Sequence, residues 1–463
     1  MNFSRRILVM TVLCFSGGII FLLPFLREVY YQPMQAAFGH TNTEMGVLMS
    51  VFGAFSLIAY FPGGWLADRF PPRGLITGGL LATGLAGFYF ATFPSYAVSI
   101  AIHAFWGANI SLVFWGAMIK ATRIWGSASG QGAAFGILES GRGVAEIAAS
   151  TVFLAIFAWL GSGDYALSVV ILMFSATNIF LAITAWFLLT DDLQEEPSAA
   201  LALNEEPSAA LALNEEPSAA LALNEEPSAV LALNEEPSAV LNKEADRIKM
   251  ADLLKVLKMP MVWLISLVVM TAYSAYWGTF YFTPYASDVF LMSAAMGGAV
   301  GVGKMWLKPV AAVVIGFVGD KLGISRTIFY LFIAMTLSFL VFGLLPGGAD
   351  LMIPMLLNVA VASIAIFSIR GVYFALLEET GIPIAFTGIA TGIVSVIGFS
   401  PDIFMPLLGG VLLDAYPGVK GYSYLYFSIA GFGLVGILAI WLIMVRTAEV
   451  DSGESGEKEL KIA

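Results

Sequence analysis

The chain has 463 residues, of which 59% are hydrophobic and only 12% are charged. Because a soluble domain typically has about 25% charged residues, this composition excludes a water-soluble globular protein and indicates a membrane protein. The net charge of −11 does not indicate a basic partner, since residues 191–242 contain twelve acidic and no basic side chains and the rest of the chain is nearly neutral.

Twelve apolar segments are long enough to cross a bilayer, which takes about 20 residues as a helix. Their length and bounding turns favour helices over barrel strands. Six precede the acidic segment and six follow it: 7–35, 45–66, 74–94, 97–119, 133–158, 166–189, 260–286, 293–317, 326–346, 351–375, 385–413 and 423–445. We predict an all-α membrane protein in which residues 1–190 and 246–447 form two pseudo-symmetric six-helix bundles.

Lys and Arg residues fall almost entirely on one side of these spans. Counted from a cytoplasmic N-terminus, the outer loops contain only Lys420. Because cytoplasmic loops of membrane proteins are enriched in basic residues, the pattern predicts that both termini are cytoplasmic. The terms cytoplasmic end and outer end follow this predicted orientation.

The segment between the halves, residues 191–245, contains a ten-residue repeat. Its copies begin at Glu195, Glu205, Glu215, Glu225 and, truncated, Glu235. A proline in every copy prevents a long helix, and the composition predicts a disordered cytoplasmic linker, with a docking site for a partner as the alternative. From residue 246, basic and apolar residues interleave, which predicts a short amphipathic helix at the inner surface. Residues 448–463 form a predicted cytoplasmic tail.

A glycine- and aspartate-containing stretch occurs once in each half. Residues 64–69 recur as residues 316–321, each time after the second span of a half. Internal repeats are typical of transporters built from two bundles. Both stretches resemble the signature loop of the major facilitator superfamily, although prolines at 71–72 replace the usual glycine and basic residue. Within that superfamily the chain is similar to bacterial inner-membrane permeases near the organophosphate antiporters and nitrate porters.

The resemblance implies a major facilitator fold and a secondary transporter. In that family the motif aspartate caps a neighbouring helix end and pairs with basic side chains when the cytoplasmic side is closed. Carried onto this chain, the motif assigns gating to Gly64, Asp68, Arg69, Arg73, Gly316, Asp320, Lys321 and Arg326. The alternative is that the basic residues among them only fix the topology.

Charged residues inside the spans are the best candidates for function, because a charge at mid-bilayer costs ~2.5–3.5 kcal/mol. Glu139, Arg142 and Glu146 lie on one face of the fifth span. They suit a substrate-binding arginine between two proton-coupling carboxylates. They equally suit a self-neutralising structural triad.

Lys304 and Lys308 lie on one face of the eighth span, with no acidic residue near them in the sequence. Two lysines without an acidic partner favour an anionic substrate, although Lys308 alternatively extends to the cytoplasmic interface. Asp402 is a candidate proton carrier or the partner of one of these lysines.

Three further residues are candidates for substrate contact. Arg27 and Tyr30 end the first span, where they line the outer part of a cavity or mark the membrane interface. Tyr276 belongs to a group of polar aromatic residues in the seventh span. Arg370, near the cytoplasmic end of the tenth span, favours a topological role or a salt bridge with Glu378.

The remaining residues give no support to catalysis. Two histidines and one cysteine make no metal cluster, and no phosphate-binding glycine loop occurs. We therefore expect no enzymatic activity, no cofactor and no nucleic-acid partner. The small excess of basic over acidic side chains inside the spans favours a small, polar, anionic metabolite, which is moved by proton coupling or exchange. The resemblance implies a bacterial inner membrane, and we expect a monomer among membrane lipids. A sugar or drug exporter and a non-transporting sensor are the alternatives.

Overall fold

The computed structural model describes residues 3–126, 131–189, 250–311, 315, 322–383 and 386–451. Every secondary-structure element in these ranges is helical, which confirms the all-α prediction. The predicted linker at 191–245 lies outside the described residues. So do Gly316, Asp320 and Lys321 of the predicted gating set, and the tail beyond residue 451.

The described helices of the first half are α1 (Phe3–Ile19), α2 (Arg27–Phe38), α3 (Asn42–Arg69), α4 (Pro72–Phe90), α5 (Tyr96–Asn109), α6 (Gly116–Trp125), α7 (Gln131–Trp159) and α8 (Asp164–Leu188). Those of the second half are α9 (Met250–Leu257), α10 (Pro260–Gly278), α11 (Phe282–Asp288), α12 (Ala294–Met305), α13 (Ile324–Leu344), α14 (Met352–Val372), α15 (Leu376–Glu379), α16 (Thr387–Gly398), α17 (Pro401–Ala415) and α18 (Val419–Asp451).

In the described ranges, nine helices are long and apolar enough to cross a membrane. Apolar side chains on their outer faces are exposed, for example Ile58 at 72% and Trp159 at 82%, as lipid contact requires. The predicted spans 7–35, 74–94 and 293–317 correspond to α1 with α2, to α4, and to α12. The number twelve stays a prediction.

Each half packs mainly within itself, and a few helices join the halves. In the first half α1 packs on α7, α3 on α5, and α4 on α8; in the second, α10 and α13 pack on α18, and α10 also packs on α16. Between the halves, α3 packs along α17, while α2 contacts α11 and α12, and α7 contacts α12. The two bundles therefore meet along a seam. Four of its helices, α2, α7, α12 and α17, carry charged residues of the spans.

The first predicted span is interrupted at residues 20–26, where the chain forms turns instead of a regular helix. Pro24 lies in this stretch and lacks the N–H that an α-helix needs. Two hydrogen bonds there span three residues, from Leu22 N to Ile19 O and from Leu26 N to Leu23 O, and alternate with bonds of the ordinary four-residue spacing, such as Phe25 N to Phe21 O. After this break a new helix, α2, begins at Arg27. Arg27 and Glu28 therefore lie in its first turn, where they are buried between the bundles.

Candidate functional site

Two ion pairs cross the seam between the bundles. Lys304 on α12 lies 2.8 Å from the carboxylate of Glu28 on α2. Lys308, in the helical turn at 307–311, lies 2.8 Å from the carboxylate of Glu146 on α7. The expectation that both lysines lack an acidic partner is therefore wrong. Their partners lie in the other half of the chain, where sequence proximity does not reveal them.

Lys304 is fully satisfied in its buried position. Besides Glu28, its ammonium group donates to the backbone oxygen and to the hydroxyl of Thr279, both at 2.8 Å. Thr279 begins a 3₁₀ turn, Thr279–Tyr281, between α10 and α11. The hydroxyl and the carbonyl of Thr279 both accept from the ammonium group there. Lys304 itself is 1% exposed, so it stabilises the seam in this conformation.

Small residues on α12 allow α2 to approach this closely. A Cβ atom at Gly301 would lie 2.8 Å from Glu28 O, and one at Gly298 would lie 2.9 Å from Val29 O. Both distances are below those that real Cβ atoms show. These two glycines therefore bring Lys304 within reach of Glu28.

The Lys308–Glu146 pair is more accessible than the Lys304–Glu28 pair. The two side chains are 29% and 24% exposed, compared with 1% and 9%. Both oxygens of Glu146 accept from Lys308, at 2.8 and 3.0 Å. A partly exposed ion pair at the seam is accessible to a competing anion or to a proton.

The predicted triad of the fifth span is divided between two partners. Arg142 pairs with Glu139, one turn away, whereas Glu146 pairs with Lys308. The guanidinium of Arg142 also lies over the ring of Trp115, 4.8 Å from its centroid. Gly17 on α1 makes room for the arginine, because a Cβ there would lie 2.8 Å from Arg142 Cδ. The structure thus favours neither the functional nor the structural hypothesis for the whole triad.

On the opposite bundle, Arg370 and Asp402 lie beside a group of aromatic rings. The guanidinium of Arg370 lies 3.7 Å from the ring centroid of Tyr276 and 5.4 Å from that of Tyr273. Asp402 accepts a hydrogen bond of 2.8 Å from the indole N–H of Trp277. Asp402 is therefore hydrogen-bonded to α10, and neither lysine of the eighth span pairs with it.

The contacts of Arg370 differ from what the sequence predicts. Its position near the end of a span suggested a topological role, whereas its side chain packs on aromatic rings inside the bundle. The nitrogen Nε of Arg370 is buried and makes no hydrogen bond. The useful signal was the neighbouring pair of tyrosines one helical turn apart on α10, Tyr273 and Tyr276.

Arg27 and Tyr30 are buried at the seam in this conformation. Arg27 donates to Met45 O at 3.0 Å and lies about 5 Å from the rings of Tyr31 and Tyr281. The ring of Tyr30 packs edge-on against Phe157, and its hydroxyl makes no hydrogen bond. A contact with substrate would require the bundles to move apart at this point, so their role stays a prediction.

The first-half motif lies at the cytoplasmic end of α3. Asp68 and Arg69 are exposed there, and the guanidinium of Arg69 lies over the ring of Trp65. Lys120 on α6 donates to the carbonyl oxygens of Ala67 and Asp68, at 2.7 and 3.2 Å, which caps the end of α3. This basic residue therefore stabilises the motif loop.

Two other residues of the predicted gating set lie at the same end. Arg73 donates to Trp186 O at 2.8 Å and stacks on its ring, and Arg326 is exposed in the first turn of α13. Gly64 is also exposed, with open space around its α-carbon.

Two mostly apolar grooves lie on the flanks of α12, and among the described residues Lys304 is the one charged residue that lines either of them. One, of about 370 Å³, separates α12 from α7, and the other, of about 400 Å³, separates α12 from α14. Alanine, methionine and leucine side chains line most of both. Because their walls are mostly apolar, we place the candidate site at the charged seam instead.

Comparison with known proteins agrees with this architecture. Residues 7–400 match the sequence model of the family described as Major Facilitator Superfamily. Two relatives from Escherichia coli (strain K12) are inner membrane protein YihN, 28% identical over 95% of both chains, and inner membrane protein YqcE, 27% identical over 97% of both chains.

Two solved structures share the fold. The nucleoside transporter NupG is 14% identical, with a TM-score of 0.67 over 96% of this chain and 99% of that one. A bacterial homologue of the human lysosomal transporter Spinster, in an inward-facing and unoccupied conformation, is 12% identical, with a TM-score of 0.67 over 97% and 98% of the two chains. At these identities the likeness concerns the fold alone.

Proposed function

Because this chain belongs to the major facilitator superfamily, whose fold serves secondary transport by alternating access, we propose that its substrate is a small, polar, anionic metabolite. Transport is coupled to protons or to the exchange of a second anion. The protein works as a monomer in a bacterial inner membrane with both termini in the cytoplasm. The Lys and Arg asymmetry of the loops and the inner-membrane relatives support this location.

Arg370, which has no ion pair inside the second bundle, carries the proposal. Among the described residues Lys304, Lys308 and Arg142 each have a carboxylate partner, whereas Arg370 and the more deeply buried Arg27 form no ion pair. The guanidinium of Arg370 lies on Tyr276, with Nε left without a hydrogen bond. An unpaired charge inside a membrane protein is costly and typically marks a functional site. An anionic substrate would supply the missing negative charge. Two oxygens of a carboxylate or a phosphate would match two N–H groups of the guanidinium.

Charged side chains of the fifth and eighth spans supply the rest of the proposed site. Arg142 from α7 provides a second guanidinium, and Lys308 provides an ammonium group that an anion can share with Glu146. Protonation of Glu146 would free Lys308 for the substrate, which links proton binding to anion binding. Lys304, Tyr276, Arg27 and Tyr30 complete the proposed contact set, with Glu139 and Asp402 as further proton carriers.

A ligand-stabilisation screen tests the anion assignment. The purified protein is heated with small carboxylates, phosphate esters and sulfonates, and with neutral sugars of similar size, and the unfolding temperature is recorded. A ligand at one hundred times its dissociation constant stabilises the folded state by about 2.7 kcal/mol. We expect stabilisation by at least one anion class, its loss in Arg370→Gln, and its persistence in Arg446→Gln, which removes an exposed arginine from α18 of the same bundle. Stabilisation by neutral sugars that Arg370→Gln leaves intact would contradict the proposal.

A further inference from the structure

A carboxylate from the second bundle holds the first turn of a helix in the first bundle. Asp414, near the end of α17, accepts hydrogen bonds from the backbone N–H and the side-chain amide of Asn42, at 3.1 and 2.9 Å, and from the backbone N–H of Thr43, at 2.7 Å. Asn42 and Thr43 begin α3. Three hydrogen bonds thus join the bundles at the outer end.

The first turn of α3 depends on this contact for two of its backbone donors. The first N–H groups of an α-helix have no partner within the helix. Thr41 and Glu44 form a capping box, in which Glu44 N donates to the hydroxyl of Thr41 and Thr41 N donates to the carboxylate of Glu44. Asn42 N and Thr43 N remain, and Asp414 accepts from both. Its negative charge also lies at the positive end of the helix dipole.

The two helices are in close contact below this point. A Cβ at Gly410 on α17 would lie 2.3 Å from Asn42 O, and one at Gly46 on α3 would lie 2.4 Å from Pro406 O. The outer half of α3 therefore lies against α17 with backbone close to backbone. A further bond from Gln32 to Asp288, at 3.1 Å, joins α2 to α11 at the same end.

We propose that Asp414 is a latch that keeps the outer end closed, and that its carboxylate sets how often that end opens. Opening the outer end requires α3 to leave α17, which leaves Asn42 N and Thr43 N without their acceptor. Asp414 is thus a positioning residue for alternating access, which acts through the first turn of α3 and without touching the substrate. Loss of its charge shifts the protein toward an outer-open state.

Distances across the outer end test the latch directly. Spin labels are placed at Thr92 and Lys420, two exposed positions at the outer ends of the two bundles, in a Cys14→Ala background. Pulsed electron double resonance on the reconstituted protein, without substrate, then gives the population with a long distance. We expect Asp414→Asn to raise the ratio of open to closed protein about fivefold, as the loss of a helix cap would. Asp350→Asn, which alters another exposed carboxylate at the same end, should change nothing.

A second variant removes the donors instead of the acceptor. Asn42→Pro deletes the N–H and the amide that bond to Asp414, and proline suits the first helical position because Thr41 before it is already extended, with φ −72° and ψ 167°. Asn42→Pro should raise the outer-open population as Asp414→Asn does. The double variant should have an outer-open population little larger than that of either single variant. Unchanged distances in both variants, or fully additive effects, would overturn the proposal. Since no substrate is present, the result is independent of the anion assignment.

Discussion

Lys304 remains inside the molecule because three oxygen atoms surround its ammonium group: one from Glu28 and two from Thr279. The three protons of the amine match these three acceptors. The sequence shows the lysine but not the acid, because the two residues belong to opposite halves of the chain. Residue types inside a span are therefore predictable, whereas their pairing needs the packing of the bundles.

Glu28→Gln should destabilise the protein strongly. The substitution leaves Lys304 charged and buried without a counter-charge, and breaking a buried pair typically costs ~3–5 kcal/mol. Lys304→Met should have a similar effect, because Glu28 is then left alone. The double variant Glu28→Gln/Lys304→Met should recover most of the stability, as measured by thermal unfolding in detergent. Glu139→Gln is the control, because Glu139 is 63% exposed and its pair should contribute only about 0–1 kcal/mol. Equal losses from both pairs would contradict this reading.

Asp402→Asn should separate transport from proton coupling. An asparagine keeps an oxygen to accept from the indole N–H of Trp277, so the local packing should survive, but it carries no exchangeable charge. We expect exchange of labelled for unlabelled substrate to continue, while accumulation driven by a proton gradient falls at least tenfold. Loss of both activities in a folded variant would instead assign Asp402 to substrate binding.

Helix interruptions determine where the functional side chains lie. Hydropathy predicts the apolar segments, and Pro24 gives a visible signal for the break in the first span. The π-helical turn at Ile110–Trp115, between α5 and α6, has no such signal. It lies where α3 approaches closely, since a Cβ at Gly63 would be 2.4 Å from Ser111 O. Tertiary packing, rather than local preference, explains this turn, and sequence analysis cannot supply it.

Gly46→Ala should weaken the contact between α3 and α17. Alanine normally favours a helix over glycine by up to about 1 kcal/mol, so the change is stabilising at an open position. At Gly46 the added methyl group would lie 2.4 Å from the backbone oxygen of Pro406 and must push the helices apart.

The matched control is Gly78→Ala on α4, where a Cβ meets no atom within 4 Å. We expect Gly46→Ala to lower the unfolding temperature, or to increase the outer-open population, and Gly78→Ala to do neither. The same response from both variants would show that α3 and α17 are not in close contact at Gly46.

The whole chain combines a transporter body with an acidic segment of different composition. The motif repeated at 64–69 and 316–321 identified the superfamily from sequence, because a duplicated motif in matching places is far more specific than one copy. The substrate was not identifiable in the same way. It depends on which charges remain without a partner once the bundles meet, and Arg370 was recognisable as such a charge only from its contacts.

Deleting residues 195–240 should leave transport nearly unchanged. The repeats are predicted from composition to be a linker, so the shortened chain should retain uptake within about twofold of the full protein. A sensor that signals through this segment would instead lose its cellular output while keeping the fold. Uptake abolished by the deletion, in protein that is correctly inserted, would contradict the linker assignment.

Uptake by proteoliposomes tests the central claim most directly. Vesicles containing the wild-type protein, Arg370→Gln or Arg446→Gln are given labelled small organic anions and neutral sugars, with and without an inward proton gradient. An anion symporter predicts gradient-driven uptake of an anion that Arg370→Gln abolishes and Arg446→Gln retains. Uptake of a sugar at the same rate in all three proteins would contradict the anion assignment, and would make the interior charges structural.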